Sequence, residues 1–431
     1  MSGYYNVDEV DSALRALAAA YPKLCALIDL PNLTAEGRRC RALRIHDNNE
    51  PVMNGVLVMA CAHANEWGGA EICIGFAADL LYAYAMGFGV TYGASSFSTQ
   101  QVARIAQKLD VFILPVINPD GRHFSQTDGN GPLWRKNRNP SASGGIAGNV
   151  GVDVNRNYDF LWKAALQSSS DPSSDRFHGP ALESEAEVLN VKWLLDTYAS
   201  IDRLIDIHSA NAPDIIWGWG DDEIQSTDPS MNFRNPAYDG MRGIHGDPYR
   251  EYMPPTDAVY ASAIAKKVAG AMNAVANAGY AIVQGSIYAT GVSGMASDYC
   301  YSRQFVDPSE RRIFGFGIEF GRNTPEYDWS SMEQSIVAVD SGLFEFCLLA
   351  IPVIRYPWSL PPRWVTLAHL VENVVHVLGG IPADGGGGVI PVVGPPIPQG
   401  PGSSGFSEED LRRLVEELAG VLTRFLEGVP R

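Results

Sequence analysis

The chain has 431 residues, of which 46% are hydrophobic and 19% are charged, ordinary values for a globular protein with a sizeable core. Aspartate and glutamate number 49 against 32 lysines and arginines, so the formal net charge is −17. This composition excludes a wholly disordered, collagen-like or membrane-embedded chain. The acidic balance also opposes nonspecific nucleic-acid binding through phosphate contacts.

The N-terminal and cysteine patterns bear on the cellular compartment. The first residues lack a basic region followed by an apolar core, so no secretory signal peptide is predicted. No run reaches the roughly 18 apolar residues that span a bilayer. The six cysteines have no paired spacing, and four lie within apolar runs, which indicates buried free thiols in a reducing compartment. We therefore predict a cytoplasmic protein without a membrane span.

In chain order, the apolar pattern predicts strands alternating with helices. Continuous or alternating apolar runs indicate strands, and apolar residues at helical spacing indicate helices. The predicted strands are residues 40–46, 55–62, 111–116, 204–208 and 313–320, and the predicted helices are residues 8–19, 66–84, 184–197, 257–278 and 331–349. This alternation predicts an α/β fold, a single large domain with a mixed, mostly parallel central β-sheet flanked by helices.

The composition changes abruptly near the C-terminus. After a further predicted helical extension at residues 353–378, 16 of the 27 residues at 379–405 are glycine or proline, which predicts a linker. Residues 406–431 then carry one apolar stripe at helical spacing, typical of an amphipathic helix. Because an isolated helix of about 20 residues is marginal in water, we expect this stripe to pack on something.

Polar residues at strand ends form a candidate metal site. His63 and Glu66 follow the predicted strand 55–62, and His208 closes the strand 204–208. Imidazole and carboxylate groups are good zinc ligands, and three protein ligands leave a fourth position open for catalysis. Glu319 is a carboxylate among apolar and glycine neighbours, an expensive placement without a purpose. We therefore predict a zinc site at the C-terminal edge of the strands, with Glu319 as its proton shuttle.

A set of short segments resembles the zinc carboxypeptidases of the pancreatic carboxypeptidase A type. In order, the segments are HANEW, PVINPDG, LWRKNR, VGVDVNRNYDF, FHGPALESEAE, LIDIHS, SIYATG with SDY, and GIEF. Each segment alone is modest, but the eight occur in the order of the family with sensible gaps. The resemblance covers roughly residues 5–350, so residues 1–352 are predicted to form the catalytic domain.

The resemblance implies a metal centre with defined roles. His63, Glu66 and His208 match the ligands of one zinc ion per chain. Glu319 matches the general base that acts with a zinc-activated water. Asp153 matches the carboxylate that orients a ligand histidine, here His63, which is the usual arrangement behind a metal-bound imidazole.

The resemblance also implies residues that bind the substrate. Arg135 matches the arginine that polarises the scissile carbonyl, and Asn155 with Arg156 matches the pair that grips the terminal carboxylate. A guanidinium can bind a carboxylate with two parallel hydrogen bonds, which suits this task. Tyr288 matches the mobile tyrosine that closes over the substrate. Ser297 falls at the bottom of the pocket for the last side chain, where it selects no charge, and we expect large neutral residues there.

These residues predict a zinc metallocarboxypeptidase that removes residues from the C-termini of peptides or proteins. Two alternatives stay open. One is a peptidoglycan-peptide amidase of the γ-D-glutamyl-diaminopimelate type, because some bacterial relatives resemble the HANEW motif. The other is a binding relative without catalysis, which would have lost some of the site residues. The helix 406–431 is predicted to fold back on the catalytic domain, to self-associate, or to dock on a protein partner, such as the inner face of a protein shell.

Overall fold

The computed structural model describes most of the predicted catalytic domain. It covers residues 3–351, apart from residues 50, 53, 129–130, 132, 144–148, 163, 165–166, 210–212, 219–224, 243, 277–278, 286–291 and 322–328. The predicted extension at 353–378, linker at 379–405 and helix at 406–431 therefore lie outside the described residues.

The described chain forms ten strands, eight α-helices and three short 3-10 helices. The strands are β1 (Cys25–Leu33), β2 (Arg39–Ile45), β3 (Asn54–Ala60), β4 (Val90–Tyr92), β5 (Ser95–Phe97), β6 (Leu109–Leu114), β7 (Ile201–Ser209), β8 (Asp214–Trp217), β9 (Ala281–Gln284) and β10 (Phe314–Phe320). The helices are α1 (Val7–Ala20), α2 (Gly68–Met86), α3 (Thr99–Lys108), α4 (Pro119–Thr127), α5 (Ala186–Thr197), α6 (Pro255–Ala276), α7 (Ala296–Val306) and α8 (Trp329–Ala350). The 3-10 helices are Pro140–Ser143, Val154–Arg156 and Pro236–Tyr238.

Eight strands form one sheet in the order β1-β2-β6-β3-β7-β10-β8-β9, and β4 and β5 form a separate hairpin. The four central strands β6, β3, β7 and β10 run parallel to one another. Strand β2 is antiparallel to β6, and β8 is antiparallel to β10. The predicted α/β fold with a mixed, mostly parallel sheet is confirmed.

Helices cover both faces of this sheet. Leu57 and Met59 of β3 pack in a buried cluster with residues of α5 and α7. Ala60 faces the other way, because its Cβ lies against Gly69 of α2. Since successive residues of a strand point to opposite faces, α2 lies on the face opposite α5 and α7. Both faces of β3 are thus buried, which explains its continuous apolar sequence.

Local signals set several helix ends. Helix α1 begins with a capping box, in which the Asn6 side chain accepts from Glu9 N and the Glu9 carboxylate accepts from Asn6 N. Helix α2 ends at Gly87, whose φ of 71° is the left-handed conformation that favours glycine. Helix α2 starts at Gly68 rather than at the predicted Glu66, because Glu66 belongs to the turn that precedes it.

Two further predictions concern burial. Within the described residues, α2 is the one helix long and apolar enough to cross a membrane, and more than half of its residues are buried inside the fold. All six cysteines lie in the described part of the chain, and each is buried and free. The predicted buried free thiols are therefore confirmed, and the cellular compartment stays a prediction.

Candidate metal centre and active site

Three predicted ligands converge at the C-terminal edge of β3 and β7. His63 and Glu66 follow β3, and His208 is the penultimate residue of β7; all three side chains are buried. Glu66 Oε1 lies 2.6 Å from His63 Nδ1, and Glu66 Oε2 lies 2.9 Å from His208 Nδ1. The two Nδ1 atoms are 3.2 Å apart. One ligand atom from each residue thus faces a common point, with these atoms within 4.8 Å of one another.

A tight turn brings His63 and Glu66 together. The turn is closed by a hydrogen bond from Glu66 N to His63 O, and it starts after Cys61, whose φ is 55°. This left-handed conformation is uncommon for a residue with a Cβ atom, so the surroundings must hold it. Strand β7 carries His208 to the same edge of the sheet, and its register with β10 pairs His208 with Glu319.

Carboxylates lie behind both imidazoles. His208 Nε2 is 2.8 Å from Asp206 Oδ2, and His63 Nε2 is 3.4 Å from Asp153 Oδ1, an ion-pair distance longer than a good hydrogen bond. A carboxylate behind the second ring nitrogen fixes the tautomer that leaves Nδ1 free to bind a metal. Asp153 thus lies where the resemblance placed it. Asp206 is a site residue that the sequence analysis did not identify.

The electrostatics of this cluster favour a cation. Burial alone would raise the pKa of Glu66, but the two imidazoles hold it well below its usual range. Burial alone would lower the pKa of His208, but Asp206 and Glu66 raise it well above its usual value. Two imidazole nitrogens and one carboxylate form a donor set that zinc prefers, and their buried, convergent placement fits one zinc ion.

Glu319 lies beside the ligand cluster on the neighbouring strand. Burial raises the pKa of this carboxyl to about 8. The charge of His208 opposes this rise, and the charge of Glu66 adds to it. Among the described residues, its Oε2 atom has no hydrogen-bond partner. A carboxyl group held near neutral pKa and open on one side can accept and return a proton.

Arg135 is tied to the same site through Asp153. Its Nε donates to Asp153 Oδ2 at 2.9 Å, and its Nη1 lies 4.0 Å from Glu66 Oε1. Burial alone would raise the pKa of Asp153, but Arg135 and Arg156 hold it well below its usual range. One carboxylate therefore contacts both a guanidinium and the ring of His63.

Asn155 and Arg156 follow Asp153 in a short 3-10 helix, and both are buried. Asn155 Nδ2 lies 3.0 Å from His208 Nε2, and its Oδ1 accepts from Ala296 N at 3.0 Å. Arg156 donates from Nε to Gln167 O and from Nη1 to Asn155 O. Burial lowers the pKa of Arg156 to about 10, and Asp153 opposes that shift. The Asn155 side chain thus lies behind a predicted metal ligand.

The predicted pocket residue Ser297 is buried in the first turn of α7. Its neighbour Asp298 is also buried, and burial raises the pKa of this carboxyl to about 7. A Cβ atom at Gly218 would lie 2.5 Å from Asp298 Oδ1, whereas a Cβ at Gly317 would meet nothing closer than 3.8 Å. Tyr288, the predicted mobile tyrosine, lies outside the described residues.

The sequence contained one signal for Asp206. It stands two residues before His208 in the strand LIDIH, and residues two apart share a face of a strand. The sequence could therefore have assigned Asp206 as the carboxylate that contacts the imidazole of His208. Asp153 was found only through the resemblance, because 90 residues separate it from His63.

An α/β sheet that presents two imidazoles, a carboxylate and a second, half-buried glutamate at one edge is typical of a metal-dependent hydrolase. Residues 10–327 match the protein family described as zinc carboxypeptidase. This match covers well over half of the chain, which therefore belongs to the zinc carboxypeptidase family, a family of peptide hydrolases with a zinc cofactor.

Proteins with similar sequences or folds are also named carboxypeptidases. The chain is 29% identical over 268 residues to carboxypeptidase B from Astacus astacus, covering 61% of this chain and 80% of that one. It is 30% identical over 207 residues to carboxypeptidase A2 from Rattus norvegicus, covering 48% of this chain and 44% of that one. Carboxypeptidase A from Helicoverpa armigera has a similar fold, with a TM-score of 0.58 at 24% identity, covering 80% of this chain and 74% of that one.

Proposed function

We propose that this protein hydrolyses the C-terminal peptide bond of peptides or proteins as a zinc-dependent carboxypeptidase. The observation that carries the proposal is the convergence of His63 Nδ1, Glu66 and His208 Nδ1 within 4.8 Å of one another, with Glu319 on the adjacent strand. Zinc held by these three residues supplies Lewis-acid chemistry, activating water and polarising a carbonyl oxygen.

Glu319 is the proton carrier in this proposal. Desolvation raises the pKa of its carboxyl to about 8 in the metal-free protein, so the ionised form is basic enough to take a proton from the attacking water. The same carboxyl group can then return the proton to the leaving amine. Its position on β10, in register with His208, keeps this exchange at the metal-binding edge of the sheet.

Two arginines can recognise the substrate. Arg135 is fixed through Nε by Asp153, and its Nη1 lies 4.0 Å from a ligand oxygen, which suits stabilisation of a developing oxyanion. Arg156 is a buried guanidinium next to Asn155, which itself contacts His208. A buried guanidinium so near the metal site suits the free carboxylate of a peptide C-terminus, because a charge-assisted bond gains strength away from water.

The pocket supports a preference for large neutral side chains. Ser297 carries no charge, and a Cβ atom at Gly317 would meet no heavy atom closer than 3.8 Å, so no tight contact surrounds this glycine. Asp298 has a raised pKa of about 7, so its carboxyl is largely neutral in slightly acidic solution. A preference for C-terminal lysine or arginine would instead make Asp298 the residue that selects the substrate.

The test uses one peptide sequence prepared as a free acid and as a C-terminal amide, with released amino acids quantified by mass spectrometry. The expected result is sequential release from the free acid and a much lower kcat/KM for the amide. Arg156→Met should lower kcat/KM for the acid by an amount equivalent to roughly 2–5 kcal/mol and should narrow the difference between acid and amide.

A matched control is Arg15→Met, which removes an arginine whose side chain is 53% exposed on α1. This variant should hydrolyse the acid at the wild-type rate. Equal cleavage of acid and amide by the wild-type protein would contradict exopeptidase action. Cleavage of a muropeptide, with no release from ordinary peptides, would support the amidase alternative instead.

A further inference from the structure

A buried ion pair lies directly beneath the turn that carries two of the metal ligands. Arg122 of α4 and Glu71 of α2 are both fully buried, with Arg122 Nη2 3.0 Å from Glu71 Oε1. Neither residue belongs to the set that the site analysis assigned to metal or substrate. A buried pair is expensive to desolvate, so its contacts with other parts of the site identify what it does.

Arg122 connects the two ends of the ligand turn. Its Nη1 donates to Trp67 O at 2.6 Å and lies 3.4 Å from Cys61 Sγ. Cys61 Sγ in turn lies 3.3 Å from Glu66 O. The residue just before the turn and the residue just after it thus meet at one guanidinium. Because Cys61 is left-handed, with a φ of 55°, the turn depends on such contacts to keep its shape.

The N-terminal segment completes this arrangement through its backbone. Arg122 Nη2 donates to Tyr5 O at 2.7 Å, and Tyr5 N donates to Glu71 Oε1 at 2.7 Å. Gln126 Nε2 also donates to Tyr5 O. The ring of Tyr4 packs edge-on against Trp67, with the centroids 5.5 Å apart. The segment at Tyr4 and Tyr5 is therefore bound to both partners of the ion pair and to the end of the ligand turn.

We propose that Arg122 and Glu71 are positioning residues for the metal centre, and that Tyr5 completes the network they form. The pair holds the turn from Cys61 to Trp67 in the shape that aims His63 Nδ1 and the Glu66 carboxylate at one ion. This inference rests on the proposed metal site, not on the substrate. Its consequence is that zinc affinity depends on the contacts of Arg122 in α4 and on the first residues of the chain.

The test replaces the pair together, as Glu71→Leu with Arg122→Met. Replacing both partners of a buried ion pair by apolar residues of similar size leaves no charge unpaired and is often neutral for stability. We expect a folded protein whose zinc dissociation constant, measured by chelator competition, rises roughly 10–100-fold, the usual effect of losing support behind metal ligands. The visible absorption bands of the cobalt-loaded protein should shift, because they report the geometry of the ligands.

A matched control removes another ion pair of the same helix. Arg38 Nη1 lies 2.8 Å from Asp120 Oδ1 in the first turn of α4, and this pair contacts the β1–β2 hairpin instead of the ligand turn. Arg38→Met with Asp120→Asn should leave zinc affinity and the cobalt spectrum unchanged. Two milder variants cover the case in which the first double variant does not fold. Arg122→Lys keeps the charge but not the forked donor. Tyr5→Pro removes the backbone N–H that donates to Glu71, together with the Tyr5 side chain, so Tyr5→Ala, which keeps the N–H, is its control.

Each milder variant should weaken zinc binding by several-fold and shift the cobalt bands. Wild-type affinity and an unchanged spectrum in Glu71→Leu/Arg122→Met, or in both milder variants, would overturn the inference. The readouts are metal binding and spectra, so they separate this inference from the proposed function. A wild-type protein that binds one zinc ion but cleaves no peptide would contradict the proposed function and leave the positioning network standing.

Discussion

Substitution of Glu187 by glutamine should change how stability depends on pH. Glu187 lies in the first turn of α5 and is buried, and burial together with the charge of Glu185 raises its pKa to about 8. Asn137, two residues after Arg135, donates to both carboxylates, at 2.7 Å to Glu185 and 3.1 Å to Glu187. The acidic pair therefore supports the loop that carries the candidate oxyanion-binding arginine.

The magnitude follows from the shift of the pKa. A rise from 4.5 to about 8 means that the folded protein retains a proton that the unfolded chain releases. The contribution of Glu187 to stability is therefore fully present below pH 4.5 and is lost as the pH rises from 4.5 to 8. Integrated over that range, the loss is about 4 kcal/mol, of which about 3.5 kcal/mol falls between pH 5 and pH 8.

The assay is urea unfolding of the metal-free wild-type protein and of Glu187→Gln at pH 5 and at pH 8. The wild-type free energy of unfolding should fall more steeply with pH, so that the difference between the two proteins changes by about 3.5 kcal/mol in favour of the variant. Glu333→Gln, on the exposed surface of α8, is the matched control and should follow the wild type. Parallel pH dependence of wild type and Glu187→Gln would refute this reasoning.

Three further predictions concern the site and the tail. Asp206→Ala removes the acceptor 2.8 Å from His208 Nε2, so the zinc dissociation constant should rise roughly 10–100-fold, and unchanged chelator competition would contradict this. Glu319→Gln should bind zinc as the wild type does but lose most of its kcat for peptide hydrolysis; near wild-type turnover would show that another group carries the proton. Removal of residues 380–431 should leave zinc content and peptide hydrolysis unchanged, and a fluorescent protein fused to residues 406–431 should acquire a binding partner or self-associate. Loss of solubility on truncation, with an inert fusion, would indicate that the tail stabilises the catalytic domain instead.

Strongly apolar segments made most of the central sheet predictable from the sequence. The predicted runs 55–62, 111–116, 204–208 and 313–320 located β3, β6, β7 and β10, which are buried along nearly their whole length. Strand β7 begins earlier than its predicted run, because Asp202 and Arg203 interrupt the apolar pattern. Strand β8 has four residues and shows no clean alternation, and it is defined by its pairing with β10. Such short strands depend on tertiary contacts, which a local pattern does not contain.

The residues of the site also divide into those that the local sequence predicts and those that depend on tertiary contacts. His63, Glu66 and His208 were predictable because strand ends and ligand chemistry agree with the resemblance. The side chain of Asn155 was expected at the substrate carboxylate, and the structure places it 3.0 Å from His208 Nε2. The pairing of Arg122 with Glu71 joins residues 51 positions apart, on two helices that share no motif. Only the folded chain brings these groups together.

The most direct test of the central claim is a titration of the metal-free protein with zinc, in which peptide hydrolysis is measured at each addition. If His63, Glu66 and His208 hold one catalytic ion, activity should rise linearly to one zinc per chain and then stop rising. His208→Ala should show neither the endpoint nor the activity. Full hydrolysis in the metal-free protein, or an endpoint that persists in His208→Ala, would contradict the assignment of this centre.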